Sequence, residues 1–117
     1  MSLIECVPNF SEGRDPAVIE AIVAAISNSN GRVLDWSLDA SHNRAVITFV
    51  ADHHDMVAAA FAAIRTARDR IDITAHTGVH PRIGAADVVP FIPLDGSTMD
   101  DCVRVARDLA DRVGREL

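Results

Sequence analysis

The hydrophobic pattern along the chain switches between two repeat lengths, and the order of the switches predicts the fold. Apolar residues recur at helical spacing from about Asp15 to Asn28, from His53 to Ile71, and after Thr98. Alternating or short apolar runs, typical of strands, occupy 3–7, 33–38, 44–50 and 86–93. The predicted order is β-α-β-β-α-β-α. This is an α/β (α+β) two-layer sandwich, ferredoxin-like, with an added C-terminal helix and one open sheet face.

Polar residues at the predicted helix starts support these boundaries. The pair Asp15–Pro16 has the form of an N-cap followed by proline at the first helical position. Thr98 with Asp101 three positions later resembles a capping box. Asp52 is the expected cap of the middle helix. We therefore expect the adjacent pair His53–His54 to be neutral and solvated, without a catalytic role.

The same pattern predicts which side chains are buried. The strand 33–38 is expected to be half buried, with an apolar side formed by Val33, Leu34, Trp36 and Leu38. Pro90 cannot donate to a sheet ladder, so the last strand is expected at an edge or at a bulge. The last helix is expected to bury a stripe made of Cys102, Val103, Ala106, Leu109, Ala110 and Val113.

Composition and charge narrow the functional classes. With 117 residues, 49% of them hydrophobic, the chain is expected to form one compact domain. Eleven basic and seventeen acidic side chains give a net charge of -6, which argues against nucleic acid as a partner. A leader-like N-terminus and an apolar run of ~20 residues are both lacking, so we expect no membrane partner and a cytoplasmic location. Cys6 and Cys102 form no metal or redox motif and are expected to be buried, reduced thiols.

Polar side chains collect in two loops. The segment after the first strand offers an amide, a hydroxyl and a carboxylate: Asn9, Ser11 and Glu12. The hairpin 39–44 offers an acid, an imidazole, an amide and a guanidinium: Asp39, His42, Asn43 and Arg44. These groups are suited to binding a small amino-acid substrate, whose carboxylate Arg44 could contact through two hydrogen bonds. The alternative is that the first set forms turns and caps, that Asp39 and Asn43 build the hairpin turn, and that Arg44 stays solvated.

A third polar segment, 71–84, contains two histidines four residues apart, His76 and His80. Gly78 and Pro81 argue against a helix that would align them as metal ligands, and no third ligand stands out, so we expect no metal here. Pro81 restricts His80 to extended backbone geometry, near the Arg82 guanidinium. A guanidinium disfavours the protonated imidazole, which makes His80 a candidate base near neutral pH. The alternative is a structural or merely exposed loop histidine.

Taken together, these segments resemble the formiminotransferase family. The resemblance rests on three blocks in order: Glu5–Gly13, Asn43–Arg44, and His80–Ala85 continued by Asp87–Pro93. It implies transfer of the formimino group of N-formimino-L-glutamate to tetrahydrofolate in histidine breakdown, on a ferredoxin-like subdomain. The histidine of the His-Pro-Arg block is the family's catalytic acid/base, which places that role on His80.

The resemblance also implies how the substrates bind. The carboxylates of glutamate and of the folate tail are anions, for which Arg44 and Arg82 are the expected partners. Asp39 is expected to hydrogen-bond an amidine or pterin nitrogen. The remaining members of the predicted binding set are Asn9, Ser11, Glu12 and Asn43. Tetrahydrofolate is the expected co-substrate, and no metal is expected.

Two readings of the whole chain remain open. In the first, residues 1–117 are a single formiminotransferase N-terminal subdomain, truncated relative to the family, whose partner is a second such subdomain or a further copy of the chain. In the second, the chain is a non-catalytic ferredoxin-like binding or dimerisation module, or an inactive fragment that needs further segments to bind folate.

Overall fold

The computed structural model describes residues 2–71 and 86–117. Within these two ranges, nine elements follow one another: β1 (Leu3–Cys6), β2 (Asn9–Phe10), α1 (Pro16–Asn28), β3 (Arg32–Asp39), β4 (Arg44–Asp52), α2 (His53–Arg70), β5 (Ala86–Val88), β6 (Phe91–Pro93) and α3 (Met99–Glu116).

The nine-residue strand β4 organises the sheet. It pairs with β3 on one side and with both β1 and β2 on the other. β6 pairs with β1, and β5 pairs with β2, and every pairing is antiparallel. β1 and β2 lie on one line, as do β5 and β6, so the last strand of the described chain lies beside the first. This order confirms the predicted ferredoxin-like α+β sandwich.

A proline separates the two strands of each collinear pair: Pro8 lies between β1 and β2, and Pro90 lies between β5 and β6. The predicted first strand, 3–7, is present as β1, but the loop expected after Pro8 begins with a second short strand, because Asn9 and Phe10 also pair with β4. Pro8 has no N–H to donate, but its carbonyl accepts from the Ile47 N–H at 3.2 Å and keeps the strand in register. Pro90 lies in the gap between β5 and β6, at the sheet edge where its sequence position predicts it.

The predicted helix caps are confirmed. The Asp15 side chain accepts from the Ala17 N–H at 3.0 Å, and Asp52 accepts from the His54 N–H at 3.1 Å. At α3, Thr98 Oγ1 accepts from the Asp101 N–H at 3.2 Å and the Asp101 carboxylate accepts from the Thr98 N–H at 2.9 Å. This reciprocal pair is the capping box that the sequence predicts.

The core lies between the helices and one face of the sheet. Along β4 the side chains alternate, with Ala45, Ile47, Phe49 and Ala51 buried and the residues between them more exposed. Small alanines supply much of the buried face of α2, which lets that helix lie close to the sheet. Cys6 and Cys102 are buried free thiols, and burial raises the pKa of both, so they stay protonated. Among the described helices, none has the combination of length and apolarity that crossing a bilayer needs.

Two burial predictions were wrong at the edges of the fold. In β3, Leu34 is 53% exposed and Trp36 is 38% exposed, while Val33 and Leu38 pack against the core. Within the described residues β3 pairs with β4 alone, and its register shifts between Val33 and Asp35. An edge strand with a register shift cannot keep every apolar side chain inward.

The last helix is the second case. α3 buries Cys102, Val105 and Leu109, whereas Val103 is 42% exposed and Ala106 and Ala110 are exposed as well. Its contacts are with α2 and β6 at the margin of the sheet. A helix that touches so few neighbours buries a narrow stripe, so the wide stripe predicted from sequence was too broad.

Candidate functional site

Two of the three polar segments chosen from the sequence meet at the start of β4. The Gly13 N–H donates to Asn43 Oδ1 at 2.9 Å. The Arg14 Nε–H donates to the Ala40 carbonyl at 3.1 Å. The loop after β2 is therefore docked onto the hairpin between β3 and β4. Arg14 was not singled out from the sequence, because a lone arginine after a turn carries no distinctive pattern.

Backbone geometry explains why glycine and asparagine hold this contact. A Cβ at Gly13 would overlap the backbone nitrogen and oxygen of Arg44 and the carbonyl oxygen of Asp39. Asn43 has a φ of 50°, in the left-handed region that asparagine tolerates better than most residues. Its side chain is 7% exposed, so its hydrogen bond to Gly13 is shielded from water. Both residue types are required by the close approach of two backbone segments.

Other members of the predicted binding set also contact the local backbone. Glu12 Oε2 accepts from the Arg14 N–H at 3.0 Å and from the Asp15 N–H at 3.3 Å. Asn9 Nδ2 donates to the Val7 carbonyl at 3.4 Å, and Ser11 is fully buried. The structure thus gives these polar groups a role in shaping the loop, as the turn-and-cap alternative expected.

The hairpin presents its charged groups to solvent. His42 Nδ1 lies 2.7 Å from Asp39 Oδ2, and the two side chains are 77% and 53% exposed. The hydrogen bond from the His42 side chain, followed by the one from its backbone N–H, lowers the pKa of Asp39. Asp39 pairs with Arg44 across the two strands, and the Arg44 side chain is exposed. An ionised carboxylate and a guanidinium are therefore available side by side to a polar ligand.

The chain that follows the third polar segment returns to this region at β5. Ala86 is the first described residue after the gap and pairs with Phe10, one residue before Ser11. β5 therefore begins at the end of β2 from which the loop after β2 departs. His80 and Arg82, like His76, lie outside the described residues, so their predicted roles stay predictions.

The fold and the arrangement of this region define the class of protein. The chain is a ferredoxin-like α+β domain in which a docked loop, a charged hairpin and the start of β5 meet at one end of the central strand.

Comparisons with known proteins then give the family. Residues 3–117 match the model of the formiminotransferase domain, N-terminal subdomain. The chain is 56% identical to the glutamate formimidoyltransferase of Thermoplasma acidophilum, covering 100% of this chain and 39% of that protein. It is 47% identical to the enzyme of the same name from Streptococcus pyogenes serotype M1, over 98% of this chain and 39% of the relative. It is 50% identical to the formimidoyltransferase-cyclodeaminase of Sus scrofa, over 98% of this chain and 21% of the relative.

The chain belongs to the formiminotransferase family, as an N-terminal subdomain. It spans about 39% of the length of the first two relatives. The resemblance noted from three sequence blocks is confirmed over nearly the whole chain.

Proposed function

We propose that this chain forms part of the active site of a glutamate formimidoyltransferase, which transfers the formimino group of N-formimino-L-glutamate to tetrahydrofolate in histidine breakdown. The observation that carries the proposal is the 56% identity, across 100% of the chain, to a protein named for this activity. The relatives from Streptococcus pyogenes and Sus scrofa bear the same transferase in their names.

The reaction requires one proton to move in each direction. Nitrogen N5 of tetrahydrofolate attacks the amidine carbon and loses a proton, and the departing glutamate nitrogen gains one. A single group that alternates between base and acid meets both needs, and we assign this role to His80. Six positions after His80, Ala86 lies beside Phe10, which supports catalysis at the end of the sheet where the loop and the hairpin meet.

Substrate binding is assigned to the charged groups at the same end. Arg44 is exposed and offers a bidentate partner for a substrate carboxylate, a role that Arg82 shares in the proposal. Asp39 is exposed and ionised, so it accepts a hydrogen bond from an amidine or pterin nitrogen. Of the remaining members of the set, Asn43 holds the loop against the hairpin, Asn9 and Glu12 bond to the backbone next to them, and Ser11 is buried in the loop.

The decisive experiment places this chain in a protein that supplies the rest of the enzyme. The chain replaces the matching segment of the Thermoplasma acidophilum relative, and turnover of formiminoglutamate with tetrahydrofolate is measured. We expect the chimera to be active and His80→Ala to lower kcat by about 10²- to 10⁴-fold, because general acid–base catalysis typically contributes that much. Thermal unfolding of both proteins shows whether the variant stays folded.

Arginine variants separate binding from chemistry. Arg44→Ala in the chimera is expected to raise KM more than it lowers kcat, since its proposed partner is a substrate carboxylate in the ground state. Arg107→Ala, on the exposed side of α3, is the matched control and should leave both constants unchanged. Wild-type turnover by His80→Ala would contradict the catalytic assignment, and an inactive, folded chimera would favour the non-catalytic module.

A further inference from the structure

A second cluster of polar side chains lies at the far end of β4, away from the hairpin. Asp52, His53 and His54 each offer one ligand atom, and these atoms lie within 4.8 Å of one another. Asp52 Oδ1 and His53 Nδ1 are 3.6 Å apart, and the two imidazole rings have centroids 3.8 Å apart. The sequence analysis expected both histidines to be solvated, yet the His53 side chain is only 28% exposed.

One ligand atom of this cluster has no partner in the part of the chain that the structure describes. His53 Nδ1 is hidden from solvent and has no hydrogen-bond partner among the described residues. Buried polar atoms in folded proteins are almost always paired, and an unsatisfied one destabilises the fold. The atom next to it is a carboxylate oxygen at a distance too long for a hydrogen bond. A cation between the two would give the nitrogen a partner and would use a further lone pair of the carboxylate oxygen.

The Asp52 carboxylate is held in place by backbone amides. Its Oδ1 accepts from the His54 N–H at 3.1 Å, and its Oδ2 accepts from the Ser2 N–H at 3.2 Å. Hydrogen bonds of this kind orient metal-binding carboxylates in known sites.

Nearby acidic side chains offset the repulsion that a cation meets at the N-terminus of α2. The helix dipole of α2 opposes a cation there. Asp52 itself and Asp55 in the first turn are acidic. From α3, Asp101 adds a third carboxylate, whose pKa is lowered chiefly by the Thr98 backbone N–H. The two carboxylates at the start of α2 therefore offset part of the repulsion from the helix dipole.

We propose that Asp52, His53 and His54 bind a divalent transition-metal cation, with Zn²⁺ the best match. Two imidazoles and a carboxylate are a ligand set that zinc accepts, with water in the fourth position. Ligands at about 2.1 Å from a tetrahedral zinc ion are about 3.4 Å apart, close to the separation of Asp52 Oδ1 and His53 Nδ1. The cation would tie the start of α2 to Ser2, which precedes β1. Its role would be structural, since the proposed transferase site lies at the other end of β4.

The test uses the 117-residue chain prepared without a histidine tag, with zinc chloride as the only probe. Calorimetric titration and thermal unfolding with and without zinc measure binding. We expect one equivalent to bind and to raise the unfolding temperature. His53→Leu and His54→Leu should each weaken binding at least about tenfold and abolish the thermal shift. His53→Gln provides a polar variant in case leucine perturbs the fold, and circular dichroism without zinc checks folding.

The matched control is His42→Leu, because His42 also lies against a carboxylate, that of Asp39. This variant should bind zinc as tightly as the wild-type chain. Two results would overturn the proposal: no zinc binding by the wild-type chain, or binding that survives the folded His53 and His54 variants. Loss of binding in His76→Ala or His80→Ala alone would point to a different site and overturn it equally.

Discussion

The two ends of β4 treat buried polar groups in opposite ways. At the Arg44 end, the Gly13 N–H and Asn43 Oδ1 satisfy one another in a contact shielded from water. At the Asp52 end, about 27 Å away along nine residues of strand, His53 Nδ1 is shielded from water and has no partner among the described residues. The first arrangement stabilises the fold. The second costs stability, and residues that break a local rule in this way are expected where a protein binds something.

The largest change in the free energy of unfolding is expected from Gly13→Ala. The added methyl group would overlap the backbone of Arg44 and Asp39, so the loop must move off the hairpin. We expect a loss of about 3 kcal/mol in the free energy of unfolding, measured by urea denaturation. Gly114→Ala is the control, because nothing lies within 4 Å of its added Cβ on α3. That variant should gain about 0.5–1 kcal/mol. Equal stability of the two variants would disprove the close contact.

Asn43→Ala tests the paired end more finely. It removes the acceptor of the Gly13 N–H and places alanine at a φ of 50°. The expected loss is about 2 kcal/mol in the free energy of unfolding, from an unsatisfied buried donor and a strained backbone. Asn43→Gly also removes the acceptor, but glycine adopts this φ without strain. It should therefore lose less unfolding free energy than Asn43→Ala does. If glycine and alanine are equally destabilising, the strain contributes nothing.

Asp52→Ala removes the cap at the unpaired end and should cost about 1 kcal/mol. The pKa of Asp52 is lowered from 3.8, chiefly by the His54 N–H. The ionised carboxylate therefore stabilises the fold at pH values above the pKa that Asp52 has in the unfolded chain. This contribution is lost as the pH falls below about 4. Urea denaturation at about pH 7 and about pH 3 should therefore show a smaller pH dependence for Asp52→Asn than for the wild-type chain. An identical pH dependence would rule out this linkage.

The smallest change in the free energy of unfolding is expected from His53→Leu in zinc-free buffer. Removing a buried nitrogen that has no partner in the described part of the chain should change the free energy of unfolding by no more than about 0.5 kcal/mol, with a small gain favoured. The contrast with Asn43→Ala measures the difference between the two ends directly. A loss near 2 kcal/mol for His53→Leu would mean that the imidazole is already paired in the free protein.

Much of the fold follows from local sequence signals. The cap residues Asp15, Asp52 and Thr98 start the helices as predicted, because a cap depends only on residues within one turn. Pro90 marks an edge because it lacks a donor wherever it lies. The exposure of Leu34 and Trp36 was not predictable, since their alternation is the same whether or not a second strand or a helix covers them.

The candidate site divides in the same way. Composition singled out the polar residues of the loop after β2 and of the hairpin, and the order of three sequence blocks indicated the family. Nothing in the sequence indicated that Gly13 contacts the backbone of Arg44, thirty-one positions later. The pair His53–His54 was visible in the sequence, but the burial of one imidazole nitrogen was not.

The sequence by itself determined the order of the elements, the helix starts and the family, because these depend on local periodicity, capping chemistry and residue order within short segments. Tertiary structure alone decided which polar groups meet. The Gly13–Asn43 contact joins residues thirty positions apart, and His53 Nδ1 lacks a partner among the described residues. Pairing of polar groups depends on geometry over a few ångströms, which residue order does not encode locally.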